Sequence, residues 1–208
     1  MADVIIIGAS GHSKVIADIV LSSGNTLLGF LDDGKAGQDC MGFPVLGKVM
    51  DYVNYPEAEF VIAIGNAAIR ESIAGSLAGV TWHTAIHPAA VISKYAVTIG
   101  EGTVIMANAV VNPGSSIGCH CIVNTAAVVE HDNKIEDFVH LSVGAKLAGT
   151  VSVGRSTWVG IGAVVSNNIT LCGGCMIGAF NPETIGDKLR LPKKLVPVLI
   201  LALGVPDE

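Results

Sequence analysis

From Ile99 the chain divides into fourteen consecutive six-residue blocks, and the first residue of every block is Ile, Val or Leu. The blocks run IGEGTV, IMANAV, VNPGSS, IGCHCI, VNTAAV, VEHDNK, IEDFVH, LSVGAK, LAGTVS, VGRSTW, VGIGAV, VSNNIT, LCGGCM and IGAFNP, across residues 99–182. Less regular blocks begin near IHPAAV. A period of six suits neither an amphipathic helix nor an alternating strand; sustained this long, it predicts a parallel β-helix. The fifth residue of a block is mostly small, which suits a tight corner. Three blocks make one coil, so residues 18 apart stack at about the spacing of neighbouring strands, ~4.8 Å. The period alone does not give the handedness.

Composition agrees with such a solenoid. Half of the 208 residues are hydrophobic, 14% are charged, 5% are aromatic and 25 are glycine. So much apolar character with so little charge predicts subunit contacts over part of the surface. Mean hydropathy is +0.59, but the most apolar stretch, LVPVLILALGVP at 195–206, is short for a membrane span and carries two prolines. MADVIII lacks the basic region of a signal peptide. The expectation is a soluble, cytoplasmic protein without membrane insertion. Net charge is −6, and basic residues cluster no further than Lys193–Lys194, so nucleic acid is not an expected partner. The cysteines in CHC and CGGC invite a zinc reading, but Cys121 and Cys175 fall where small residues recur. With an odd total of five, these are expected to be structural thiols.

Ahead of the repeat, DVIIIGASGHSKVIADIVLSSGN reads as a strand, a glycine turn and a helix with Val15, Ile16, Ile19 and Val20 on one face, stopping near Gly24. TLLGFLDD and EFVIAIGN read as two more strands, the latter buried, and AAIRESIAGSLAG as a helix with Ile69, Ile73 and Leu77 on one face. Alternating strands and helices predict a small parallel α/β unit. The turn GASGHS departs from the dinucleotide fingerprint, yet backbone N–H groups at a helix start attract phosphate. Asp32 and Asp33 end the second strand, 24 residues after Gly8, near where such folds place an acid on a ribose or base. Turn glycines and a strand-end acid without a ligand remain the alternative.

Stacking gives the histidines a context. Gly149 follows His131 by 18 residues, so the two share a face one coil apart. A histidine base with a glycine N–H nearby suits acyl transfer: the imidazole takes the proton of a nucleophile while the N–H polarises a thioester carbonyl. Asp132, or Glu130, could hold the imidazole in one tautomer. His140 stacks over Trp158 and is better placed to contact a ligand. The spacing leaves a satisfied surface histidine equally open.

With GASGH, LDD, AIGN, VNTAAVVEHD, FVHLSVGAKLAGTVSVG and the blocks in order, residues 1–179 resemble the bacterial acetyl-CoA-dependent acetyltransferases of nucleotide-linked amino sugars. The bacillosamine-type UDP-4-amino-sugar N-acetyltransferases look closest, and sialic acid O-acetyltransferases are relatives. The resemblance implies a Rossmann-like α/β domain followed by a left-handed β-helix, a homotrimer with active sites between neighbouring helices, and acetyl-CoA as co-substrate. It implies His131 as general base and Asp132, where members often carry Glu, as the acid raising its basicity. Asn124, His140, Gly149 and Ile161 match positions around acetyl-CoA. Ser10, Gly11, His12, Asp32, Asp33 and Gly65 match the pocket for the nucleotide sugar.

These readings predict three parts: a nucleotide-sugar-binding domain at 1–82, a catalytic β-helix at 83–182 and an atypical tail at 183–208. The period is lost after Ala179, the place of a further CoA contact in the family. The tail resembles the C-terminal end of nitroreductase-type flavoproteins; nothing else in the chain does, so neither flavin nor metal is expected. An exposed final coil needs a cap, a role for the apolar run Leu195–Leu203. Three other readings compete with sugar N-acetylation. One is sialic acid O-acetylation, and another is a non-catalytic nucleotide-binding module. The third is zinc hydration of the γ-carbonic anhydrase type through His120, His131 and His140, which fall on different faces and lack an i, i+5 pair.

Overall fold

A computed structural model describes residues 1–178. Ala179 and the tail, with the capping role expected of Leu195–Leu203, lie outside the described residues.

The first unit is a six-stranded sheet in the order β3-β4-β2-β1-β5-β6, built from β1 (Asp3–Ile7), β2 (Thr26–Leu31), β3 (Asp39–Cys40), β4 (Phe43–Gly47), β5 (Glu59–Ile62) and β6 (Thr81–Trp82). All its pairings are parallel except β3 with β4. The apolar run Val4–Ile7 makes β1 the central strand, and pleating sends its residues to two cores. Ile5 and Ile7 pack with Leu31, Phe60 and Leu77. Val4 and Ile6 pack with Ile16, Ile19 and Val20 of α1 (Gly11–Ser22), and this second core continues into Val104, Met106 and Ile122 of the repeat. The α/β unit therefore buries part of the coil's first sheet in a shared core, while the prism keeps an apolar interior of its own. Val15, expected inside, is exposed.

From Ala85 the chain winds through two-residue parallel strands that form three sheets. The stacked parallel sheets, joined through left-handed corners, are those of a left-handed β-helix. The first sheet contains the strands 104–105, 122–123, 140–141, 158–159 and 176–177; Val104, Ile122, His140, Trp158 and Met176 pair in that order, 18 residues apart. The second contains 91–92, 110–111, 128–129, 146–147 and 164–165, and the third 98–99, 116–117, 134–135, 152–153 and 170–171.

The corner lies one residue earlier than expected. From Ala96 to Gly174, the fourth residue of every block has positive φ, whether glycine or not; Asn108, His120, Ala126, Asp132 and Phe138 lie between 52° and 59°. The fifth residue points into the prism, where Ala109, Cys121, Ala127, Val139 and Ala145 are buried. Its small size thus reflects the narrow interior, while the fourth residue makes the turn.

Helix α2 (Ala67–Ser76) also departs from expectation. Ile69 is 49% exposed, and the helix's buried residue is Arg70, at 1%. Its Nε donates to the His120 carbonyl at 2.9 Å, one Nη to the carbonyls of Ile64 and Gly65 at 2.9 Å each, and the other Nη to Phe138 at 2.5 Å. His120 and Phe138 occupy stacked left-handed corners, whose carbonyls take no part in the backbone ladder. The guanidinium therefore fastens the first unit to two successive coils. Arg70→Met should leave these carbonyls without donors, at about 1–3 kcal/mol for each buried group that stays unsatisfied. Urea denaturation should show a clear loss of stability, and an unchanged midpoint would contradict the clamp.

Candidate functional site

The corner between the second and third sheets carries His131 and Asp132. Adjacent residues of a strand point to opposite faces, but the left-handed conformation of Asp132, φ 59°, turns both side chains outward. Nδ1 of His131 then lies 2.8 Å from Oδ2 of Asp132, so Asp132 rather than Glu130 holds the ring. With Nδ1–H donated to the carboxylate, Nε2 is free to accept a proton. The His131 side chain is 57% exposed. One coil on, a Cβ on Gly149 would fall 2.5 Å from both Cε1 and Nε2, so only glycine leaves room for the ring. The Gly149 N–H makes no hydrogen bond among the described residues.

A second group gathers where α1 and α2 meet the first sheet. Nδ2 of Asn124 lies 3.2 Å from Nε2 of His140. The His12 ring sits 6.4 Å from that of His140, and Gly65 borders His140 as well. Trp158 stacks on His140 at 5.8 Å with 5° between the planes, and Trp158 Nε1 donates to Ser142 Oγ. The His140 and Trp158 rings line a cleft of about 630 Å³ with Gly65, Asn66, Ala67 and Met176. Burial, and then the charge of Arg70, lower His12 and His140 to about 4; burial chiefly lowers Arg70 itself to about 10. His12 Nε2 and His140 Nδ1 have no hydrogen-bond partner among the described residues. Ile161, 74% exposed, projects from the corner that joins the first and second sheets, the corner after Asn124.

The third group is the turn after β1. Ser10 precedes α1, its N–H donating to Ser13 Oγ, and Gly11 begins the helix. Asp32 accepts from the N–H groups of Ala9 and Gly34 at 2.8 and 2.9 Å, so it holds the glycine turn in place. Asp33 accepts from Val49 N–H through one oxygen.

The expected residues thus fall into three groups. His12 and Gly65 lie against His140, beside the turn that Asp32 holds, and His131 sits on a different corner from Asn124 and Ile161. Arg70 and Trp158 were missed as site neighbours, although the 18-residue rule already paired Trp158 with His140. Cys172 and Cys175, expected as thiols, form a disulfide across the Gly174 corner, while Cys121 is a buried thiol raised to about 12 by that burial. No group of three or more His, Cys, Asp or Glu among the described residues could hold a metal ion. No helix among them is long and apolar enough to cross a membrane.

An α/β unit clamped to hexapeptide coils, with a histidine–carboxylate pair on a corner, defines a two-part hexapeptide-repeat protein. Residues 3–77 match the PglD N-terminal domain family. The acetyltransferase domain of PglB from Neisseria gonorrhoeae, solved in complex with acetyl coenzyme A, is 37% identical with a TM-score of 0.79, over 85% of this chain and 92% of that one. A histidine-to-asparagine mutant of perosamine N-acetyltransferase from Caulobacter crescentus, in complex with CoA and GDP-perosamine, is 32% identical with a TM-score of 0.80, over 85% of each chain. UDP-N-acetylbacillosamine N-acetyltransferase from Bacillus subtilis is 41% identical over 114 residues, 51% of this chain. The chain spans about half, 52%, of that curated relative's length. The chain belongs to the bacterial amino-sugar acetyltransferase family.

His12, His120 and His140 are each lowered from 6.5 to about 4, burial being the first cause and Arg70 the second. Between those two values the unfolded chain binds more protons than the folded one. Stability should therefore be full above pH 6.5 and fall as the pH drops toward 4. Thermal midpoints across this range measure it; a flat profile would mean that the three rings bind protons as readily folded as unfolded.

Proposed function

We propose that this chain transfers the acetyl group of acetyl-CoA to the amine of a nucleotide-linked amino sugar, the 4-amino group of a UDP-linked sugar being the first substrate to try. The observation that carries the reading is the His131 ring, held by Asp132 at 2.8 Å and seated on Gly149. Nε2 of His131 takes the proton as the amine nitrogen bonds to the thioester carbonyl carbon. The Gly149 N–H donates to the oxyanion, and collapse breaks the carbon–sulfur bond to release CoA thiolate. Ser10 and Gly11, at the start of α1, face the diphosphate, and Asp33 offers its second carboxylate oxygen to the nucleoside. His12, Gly65 and His140, neutral at pH 7, border the sugar and thioester. A reaction consuming acetyl-CoA and a nucleotide sugar belongs in the cytoplasm.

The second sheet is the natural subunit face. Its outward residues Val91, Val110, Val128 and Val164 are apolar but for Lys146 among them, and Val91 and Val164 are 62% and 73% exposed. The third sheet instead presents Thr98, Ser116, Lys134, Ser152 and Thr170. A three-fold axis facing the second sheet brings the His131 corner of one protomer beside the Asn124–Ile161 corner of its neighbour. The site is then completed between subunits of a homotrimer.

His131→Ala should lower kcat by roughly 10²–10⁴ while the protein keeps its trimeric mass and its acetyl-CoA affinity. Turnover of acetyl-CoA with UDP- and GDP-linked amino sugars reads the first, and light scattering and calorimetry the others. Full activity in the folded variant would eliminate the mechanism.

A further inference from the structure

The coil places one glycine where a side chain would disturb the histidine–carboxylate pair through the acid rather than through the ring. Gly114 occupies the fourth position of its block, 18 residues before Asp132, in the same column of left-handed corners. A Cβ built on Gly114 would overlap Oδ1 of Asp132, the oxygen that does not face His131. The nearest backbone atom of Asp132 is its Cα, at 3.6 Å, which is ordinary contact. The collision is therefore confined to the carboxylate, which would have to rotate, and its other oxygen would leave Nδ1 of His131.

We infer that Gly114 is a positioning residue for the acyl-transfer reaction: its missing side chain is the space in which the Asp132 carboxylate lies to hold the His131 ring. This rests on the assignment of His131 as general base. The need for glycine here is not a matter of backbone conformation. Gly114 has φ 76°, but Ala96, one coil earlier in the same column, holds φ 51°, and Ala126 holds φ 56° at another corner. Alanine is therefore an accepted corner residue in this solenoid. The Gly114 N–H would keep its bond to the Tyr95 carbonyl. The same arrangement recurs away from the pair, where Gly102 lies beneath the His120 ring. Glycine under a bulky or charged neighbour one coil on is thus a repeated device, and at Gly114 the neighbour is the acid of the proposed base.

The chain supplies its own control. Gly79, in the turn before β6, also has positive φ, 71°, but nothing lies within 4 Å of a Cβ built there. Gly79→Ala makes the same chemical change in a similar backbone conformation without reaching a neighbour. Gly114→Ala, Gly79→Ala, Asp132→Asn, His131→Ala and the double variant Gly114→Ala/Asp132→Asn should be compared for kcat and for the KM of acetyl-CoA, with thermal midpoints as the check on folding. Gly114→Ala should lower kcat about tenfold or more with the KM of acetyl-CoA unchanged. Its loss should match that of Asp132→Asn within about twofold, and the double variant should be no slower than Asp132→Asn. Gly79→Ala should keep the parent kcat. A Gly114→Ala enzyme as fast as Gly79→Ala, or a double variant in which the two losses multiply, would overturn the inference. If that happens while His131→Ala is impaired, the base assignment stands and only the role of Gly114 falls. Full activity in His131→Ala would remove the base and the inference together.

Discussion

Every coil must turn three corners in 18 residues, and it does so by putting the fourth residue of each block into the left-handed region. For an L-residue that conformation costs about 1–2 kcal/mol, a cost set against the parallel ladder and the buried first residue that each corner makes possible. The site depends on this geometry. Because Asp132 sits at the bend, its carboxylate shares the outer side with His131, its immediate neighbour in sequence. Because the coils stack in register, Gly149 lies against the ring and Gly114 under the acid, each one coil away. A histidine and an aspartate adjacent in a flat strand would face apart.

The corners also explain how the first unit is attached. A fourth-position carbonyl stands outside the backbone ladder, so each corner leaves an acceptor that something else must meet. Arg70 meets two of them, at His120 and Phe138, and also binds the carbonyls of Ile64 and Gly65 in the loop between β5 and α2 of its own unit. A guanidinium held by carbonyls rather than by a carboxylate keeps its positive field, and His12, His120 and His140 all feel it as a reason to stay neutral. One side chain thus seats the α/β unit on the coil and adds to burial in keeping the three rings neutral.

Much of this was legible in the sequence because a period is a geometric statement. Eighteen-residue stacking placed Gly149 on His131 and Trp158 on His140, and both hold in the structure. The turn position was not legible: Asn108, Thr150, Ser156 and His120 fill it as readily as glycine, so composition pointed to the small fifth residue instead. Arg70 was hidden because a lone arginine among Ile69 and Ile73 reads as the solvent side of a helix, and its acceptors on the coil lie 50 and 68 residues away. Gly102 and Gly114 carried no signal until the side chains above them had directions. The Cys172–Cys175 bond depends on how the Gly174 corner folds the second and fifth residues of one block together, which the spacing alone does not state.

The central claim is that the His131 corner is where the acetyl group changes hands. The measurement that meets it most directly is a crystal structure of the protein with CoA and a nucleotide-linked amino sugar bound together. The account predicts the sugar amine within hydrogen-bonding reach of His131 Nε2, roughly 2.6–3.2 Å, and the CoA sulfur beside Gly149. An amine bound at a different corner of the coil, with His131 facing solvent, would contradict it.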